Sequence, residues 1–259
     1  MRQIQAGLAL AYRDLLKFLR DPVRLASTFV FPFAFIGILG GSFQASFGRE
    51  SGMDFMAFVF TGVLAQTLFQ SSAMGIVSLI EDRENDFSQE VFVAPISRYT
   101  IILGKIAGES LVALAQGLGI LAFALILRVD LSWGQALALL PATLVVCLFG
   151  GAFGVLILGT LSSQRAANQI FPFIMLPQFF TAGVFNRIDH LPPALDLLSR
   201  ISPMRYAVDL TRGVFYADRA DAASAVLVSP AANLALMTLL FGIFLVVGTA
   251  RFVRRETEG

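Results

Sequence analysis

What most constrains this chain is a series of apolar runs: Leu25–Phe47, Phe55–Ile80, Ile101–Leu127, Gln135–Leu161, Ala167–Phe185 and Ala231–Ala250. A bilayer core of about 30 Å is crossed by roughly 20 apolar residues in a helix, so each run is long enough to span. Five contain no Asp, Glu, Lys, Arg or His; the third holds Lys105 and Glu109, four residues apart and so placed to pair on one helix face. Strand-like alternation is absent, and a backbone in lipid must satisfy its own hydrogen bonds, which leaves helices as the spanning structure. Composition agrees: 56% of residues are hydrophobic and 14% charged, against roughly 25% charged in soluble domains. The expected class is an all-α integral membrane protein with a single transmembrane domain over residues 1–259. The net charge of +1 provides no field for nucleic acid, which is excluded as a partner. The lone Cys147, in the apolar run VVCLFG, reads as a small core residue. No cleavable signal is expected, since the first charge-free run begins only after Arg24 and is too long for a signal's apolar core.

Basic residues set the orientation. With the N-terminus inside, the cytoplasmic segments hold Arg2, Arg13, Lys17, Arg20, Arg24, Arg83, Arg98, Lys105, Arg165, Arg251, Arg254 and Arg255, which is 12 of the 19 Lys and Arg. The two short outer loops carry one each, Arg49 and Arg128. Both termini are therefore expected in the cytoplasm.

Residues 1–24 carry Arg13, Lys17, Arg20 and Arg24 in one helical stripe, with Leu8, Tyr12, Leu15, Leu16, Leu19 and Val23 opposite. A basic face set against an apolar face describes a helix lying in the membrane interface. Asp21-Pro22 ends it before the first span. The fifth span contains Pro172 and Pro177, each of which removes a backbone hydrogen bond, so a kinked or broken helix is expected. With Phe171, Phe179 and Phe180, these prolines are the candidate lining of a path; an ordinary structural kink is the alternative. The connection over 189–216 is too apolar for a free loop. It reads as two short re-entrant outer helices, one with Pro193 near its start and one opened by Ser202-Pro203. His190 just before them reads as a surface histidine. The pairs Gly37/Gly41, Gly104/Gly108 and Gly150/Gly154 permit close helix packing, either within the bundle or between protomers.

No catalytic or metal-binding constellation emerges. One His and one Cys exclude the common zinc motifs. Gly104-Lys105 is not a nucleotide-binding loop, because Tyr99 and Ile106 stand where glycine and Ser/Thr are required. Spans this poor in ionisable groups also lack the usual equipment of ion-coupled carriers. Energy for transport would then enter from outside the bundle, and the charged stretch EDRENDFSQEVFVAPISR, residues 81–98, is the expected entry. In a helix Phe87, Val91 and Ala94 share one apolar face. Glu81, Arg83, Glu84 and Asp86 crowd its start, where acids suit the helix dipole, Glu90 follows, and Pro95 stops it before Arg98. An apolar knob ringed by charge suits docking into a partner groove; a solvated helix without a partner is the alternative.

Here EDRENDFSQEVFVAPISRYTIILGK resembles the signature of type-2 ABC exporter permeases, with Glu81, Arg83, Glu90, Ala94, Pro95, Ser97, Arg98, Gly104 and Lys105 carrying the likeness. LPPALDLLSRISPMRYAVDLTRG is similar to the family's outer segment at Leu191, Pro192, Pro203, Tyr206 and Arg212. Asn85-Asp86-Phe87 stand where many members carry Gly-Thr. The resemblance implies six spans and a permease that pairs with a second protomer, as a homodimer. It implies two separate ABC ATPase subunits docked on residues 81–97 as a coupling helix, and a multi-pass location in the cytoplasmic (inner) membrane of a prokaryote. ATP and Mg would then be bound by the partner ATPase, and no cofactor or metal by this chain. An amphiphilic, drug-like or lipid-linked cargo fits the Phe-rich, charge-poor spans. A self-contained membrane enzyme or ion-coupled carrier is the competing reading.

Overall fold

The structure, a computed structural model, describes residues 2–51, 54–80, 98–158, 161 and 163–258. Every regular element among them is helical. Five helices are long and apolar enough to cross a membrane: Pro22–Ser46, Phe55–Ile80, Tyr99–Ile126, Trp133–Ile157 and Ala222–Phe252. They coincide with five of the runs expected from sequence.

Helix α1 (Arg2–Leu19) ends where Asp21 caps the next helix, accepting the N–H of Arg24 at 2.9 Å, with Pro22 in its first turn. Helix α2 (Pro22–Ala34) passes through a π-helical turn, Phe35–Gly40, into α3 (Gly41–Ser51). The widening lies just past Pro32, which has no N–H to offer the Thr28 carbonyl. The break corrects one expectation. Arg24 and Val23 belong to the first turn of α2, beyond the stripe on α1.

Helix α4 (Phe55–Gly75) is the hub. It has no single apolar face, its apolar residues being spread around it, and every residue from Ala57 to Phe69 is buried. Against it pack α5 (Arg98–Ile126) and α6 (Trp133–Leu158), and the final helix α11 (Pro230–Glu258) lies against α6. Glycines set how closely they approach. A side chain on Gly150 or Gly154 of α6 would collide with the carbonyls of Phe69 or Ala73 on α4, whose Cα atoms would lie 2.9 Å from the new Cβ. Gly104 and Gly108 of α5 meet Gly7 and Ala11 of α1 in the same way. Both pairs therefore serve contacts within the chain, whereas nothing described lies within 4 Å of a Cβ on Gly37. Gly150→Val should lower stability in detergent by more than the about 1–3 kcal/mol of ordinary overpacking, because the obstacle is backbone. Gly37→Ala should leave the thermal midpoint of the monomer unchanged or slightly raised.

Helix α7 (Gln164–Thr181) occupies the expected fifth run but is not among the five long apolar helices. Gln164, Arg165, Asn168 and Gln169 make its first turns polar. It continues as one helix through both Pro172 and Pro177, so of the expected kink or break, the break does not occur. Each proline withholds only one N–H, and the Thr181 hydroxyl donates to the Pro177 carbonyl at 2.8 Å.

Helices α8 (Pro193–Ile201) and α9 (Pro203–Phe215) follow, each opened by proline as the sequence indicates, then the single turn α10 (Ala222–Ala225). Ser202 holds the N-cap position of α9, yet its hydroxyl donates to Gln178 Oε1 of α7 at 3.1 Å. That same oxygen accepts the N–H of Met204 at 3.3 Å, so a distant glutamine provides the cap. Met204, Ala207, Val208 and Phe215 of α9 are buried among α4, α6 and α11, which makes α9 part of the core. Asp209 fixes its far side by accepting the N–H groups of Leu227 and Val228 and the Asn233 amide, at 2.8, 2.9 and 2.8 Å. Arg219 draws this end of the bundle together through Asp54, Asp130 and Asp221 at 3.3–3.4 Å.

Candidate functional site: a polar cavity beside a buried ionic cluster

Helix α1 presents three faces. Gly7, Ala11 and Asp14 meet α5, and Phe18 continues their stripe at helical spacing; the last three are buried. Leu8, Tyr12 and Leu19 form an exposed apolar face. Arg13, Lys17 and Arg20 form the basic one, with Arg13 half-buried and the other two exposed. The sequence reading held two of these faces and missed the docked one.

Docking delivers Asp14, the sole acid of α1, to the pair expected on α5. Lys105 Nζ lies 2.7 Å from Asp14 Oδ2 and 3.3 Å from Glu109 Oε1, with all three side chains no more than 5% exposed. Arg13 holds the other Asp14 oxygen at 3.0 Å. Ser78, at the end of the second span, donates to Glu109 Oε1 at 3.3 Å and also to the Gly75 carbonyl. Glu109 fits only because residue 75 is glycine; a Cβ there would collide with its carboxylate. Two carboxylates and two cations thus balance in a buried network joining α1, the end of the second span and α5, where one unpaired charge would be costly.

Gly75 is also where this cluster meets a cavity of about 420 Å³. From α2 come Arg24, Ser27, Thr28 and Phe31; α4 adds Gln66, Thr67, Gln70 and Ser71; α5 contributes Gln116 and α7 Phe179. The Gln66 amide donates to Gln70 at 2.6 Å, which leaves Gln66 Oε1, Thr67 Oγ1 and Gln116 Oε1 buried with no hydrogen-bond partner among the described residues. Buried polar atoms without partners are costly, and these line a space that can hold a guest. Amide and hydroxyl groups on one side and phenyl rings on the other, with Arg24 at its edge, make the cavity amphiphilic.

Of the residues proposed for a path, only Phe179 lines this cavity. Phe171 packs in the core and Phe180 is 63% exposed. Pro172 and Pro177 lie within α7 and line none of the cavity. The glutamines were legible as isolated polar residues, with Gln66 and Gln70 one turn apart in an apolar span, but their convergence with Gln116 was not. The coupling residues Glu81, Arg83, Glu84, Phe87, Glu90, Val91, Ala94 and Pro95 lie outside the described residues; Arg98 opens α5. In the chain their segment begins just after Ile80, two residues beyond Ser78 and the ionic cluster. His190 is 93% exposed, near Asp189, as a surface histidine should be. Cys147 is a buried free thiol. No group of three metal-ligating side chains occurs among the described residues.

Comparison with known proteins gives a consistent result. A family model described as "ABC-2 type transporter" matches residues 5–216. The chain is 25% identical to "Putative transport permease ycf38" of Cyanophora paradoxa over 216 residues, covering 82% of this chain and 74% of that protein. It is 28% identical to "Probable multidrug ABC transporter permease YbhR" of Escherichia coli (strain K12) over 171 residues, covering 64% of this chain and 45% of that one. It is 23% identical to "Nodulation protein J" of Rhizobium meliloti (strain 1021) over 189 residues, covering 71% and 70%.

Proposed function

This chain belongs to the ABC-2 type transporter family, as a multi-pass transmembrane permease subunit of an ABC transporter rather than an enzyme in its own right, and from that premise we propose that it exports an amphiphile under the drive of separate ATPase subunits. The observation that carries this reading is the cavity, where buried amide and hydroxyl groups without partners face phenyl rings inside a bundle of apolar helices. A guest with a hydrogen-bonding head and an apolar body satisfies both surfaces. In this proposal two ATPase subunits dock on residues 81–97 and bind the ATP and Mg. Their motion reaches the cavity through Ser78, Glu109, Lys105 and Asp14, which join the root of that segment to Gly75 in the cavity wall.

The remaining architecture follows as part of the proposal. Helix α7 serves as a sixth span, and α1 lies in the cytoplasmic interface with its basic face toward lipid head groups. Both termini are cytoplasmic, the membrane is the inner membrane of a prokaryote, and two copies form a homodimer. The uncrowded Gly37 and the exposed Phe173, Leu176 and Phe180 of α7 suit such a contact.

The test combines purification with turnover. The permease should co-elute with a P-loop ATPase whose activity rises when amphiphiles are added. Ser71→Trp, which fills the cavity, should remove the stimulation and leave the basal rate intact. Stimulation that persists in the filled variant would overturn the cavity as the cargo site, and purification without any ATPase would overturn the reading in favour of a self-contained carrier.

A further inference from the structure

The second span is jointed where the cavity meets the ionic cluster. It is α-helical to Gly75, turns at Ile76 and Val77, and is helical again from Ser78 to Ile80. Across this stretch Val77, Leu79 and Ile80 donate to the carbonyls of Met74, Ile76 and Val77, three residues back, at 2.9 Å each. A tightened turn of this kind inside a longer helix is the mark of a hinge. In a regular α-helix the Leu79 N–H would close on the Gly75 carbonyl; here the Ser78 hydroxyl donates to that carbonyl. The joint also divides two apolar clusters. As far as Ala73 the buried apolar residues of α4 belong to the main core. Ile76, Val77 and Ile80 pack instead with Ile102 and Ile106 of α5 and Phe252 of α11. Helices α5, α6, α7 and α11 contribute to both clusters and run between them unbroken. Among the described helices that join the two, only the second span is jointed at the boundary.

Ser78 sits at this seam with two acceptors in reach, the Gly75 carbonyl and Glu109 Oε1. A hydroxyl carries one proton, so the two compete for it. At 3.3 Å, against about 2.5–3.0 Å for an ordinary O–H···O bond, Glu109 holds it weakly. Were the joint to straighten, the Leu79 N–H would take the Gly75 carbonyl and the Ile80 N–H the Ile76 carbonyl. The Ser78 hydroxyl would then be released to Glu109. Each of these groups keeps a partner in both forms, so neither form carries the cost of an unmet buried donor.

We propose that residues 75–78 are the joint at which the second span bends during transport, and that Ser78 is the positioning residue that sets it, by passing its hydrogen bond between the Gly75 carbonyl and Glu109. Gly75 lines the cavity, so bending there moves the cavity wall. The inference rests on the coupling role given to residues 81–97, which begin just after Ile80.

The experiment uses the permease purified with its ATPase. Ser78→Ala takes the hydroxyl from both acceptors. Amphiphile-stimulated hydrolysis should fall about tenfold, the effect of one hydrogen bond to a charged group, while co-elution and basal hydrolysis are kept and the thermal midpoint stays within about 4 °C. Ser78→Thr, which retains a hydroxyl, should recover the stimulation. Full stimulation in Ser78→Ala, or an equal loss in Ser78→Thr, overturns the proposal. Loss of co-elution in Ser78→Ala assigns the residue to the docking surface and overturns the joint. Normal coupling in Phe87→Asp overturns the docking reading instead, and that result does not involve Ser78. Should Ser78→Ala fail to fold, hydrogen exchange of the unmodified complex decides the matter. The amides of residues 76–80 should change protection between the ATP-bound and nucleotide-free states, and those of residues 57–69 should not. Equal protection of residues 76–80 in both states overturns the joint.

Discussion

Lys105→Met is expected to be the most damaging single substitution in the bundle. It removes the cation lying between Asp14 and Glu109, at 2.7 and 3.3 Å, and strands two carboxylates in a place where side chains are no more than 5% exposed. Breaking a buried ion pair from one side costs about 3–5 kcal/mol, because the remaining charge has neither water nor partner. Arg13 can compensate only Asp14, on the outer side of the cluster. The permease should therefore be recovered at low yield, and its thermal midpoint in detergent should fall sharply. The triple variant Asp14→Asn, Lys105→Met, Glu109→Gln should regain most of the loss, since it removes the three buried charges together, leaves only the half-buried Arg13, and keeps the volumes. If Lys105→Met alone is as stable as the unmodified protein, the network does not bear on stability; if the triple variant is no better, the damage lies in packing instead.

Phe87→Asp is expected to have the largest effect on function, with Val91→Asp close behind. Both residues lie on the apolar face of the proposed coupling helix, outside every span. A carboxylate buried in a docking groove without a partner costs several kcal/mol, enough to dissociate an ATPase held by a modest interface. Substrate-stimulated ATP hydrolysis should fall to the rate of the ATPase subunits alone, while insertion and the thermal midpoint of the permease remain unchanged. Normal coupling in both variants would sink the docking role of residues 81–97. The two experiments separate the cluster from the docking surface. Lys105→Met acts on the fold and Phe87→Asp on the partner contact, although only two residues divide Ser78, which touches the cluster, from the start of that segment at Glu81.

Several local features needed no structure to be read. The apolar runs, the break at Asp21-Pro22 and the proline starts at Pro193 and Pro203 all depend on backbone chemistry that each residue carries with it. The Lys105–Glu109 pair was legible for the same reason, since four residues always bring two side chains together on a helix. Other outcomes are decided by neighbours. Pro172 and Pro177 leave α7 continuous, and Ser202 yields its capping role to Gln178.

The sequence by itself determined that this chain is a helical membrane protein, where most helices begin and end, and which segment is too polar for the bilayer. Those outcomes follow from hydrophobicity and backbone geometry, which act over a few residues. Only the tertiary structure decided which polar groups meet. Asp14 reaches Lys105 across 91 positions because Gly7 and Ala11 let α1 settle against Gly104 and Gly108. Gln66 and Gln116 face one cavity because α4 and α5 pack in one particular register. Arg212 meets the Phe58 and Val184 carbonyls because α9 is drawn into the core. Side-chain identity fixes what a group can bond to, but packing between distant helices fixes what it finds there.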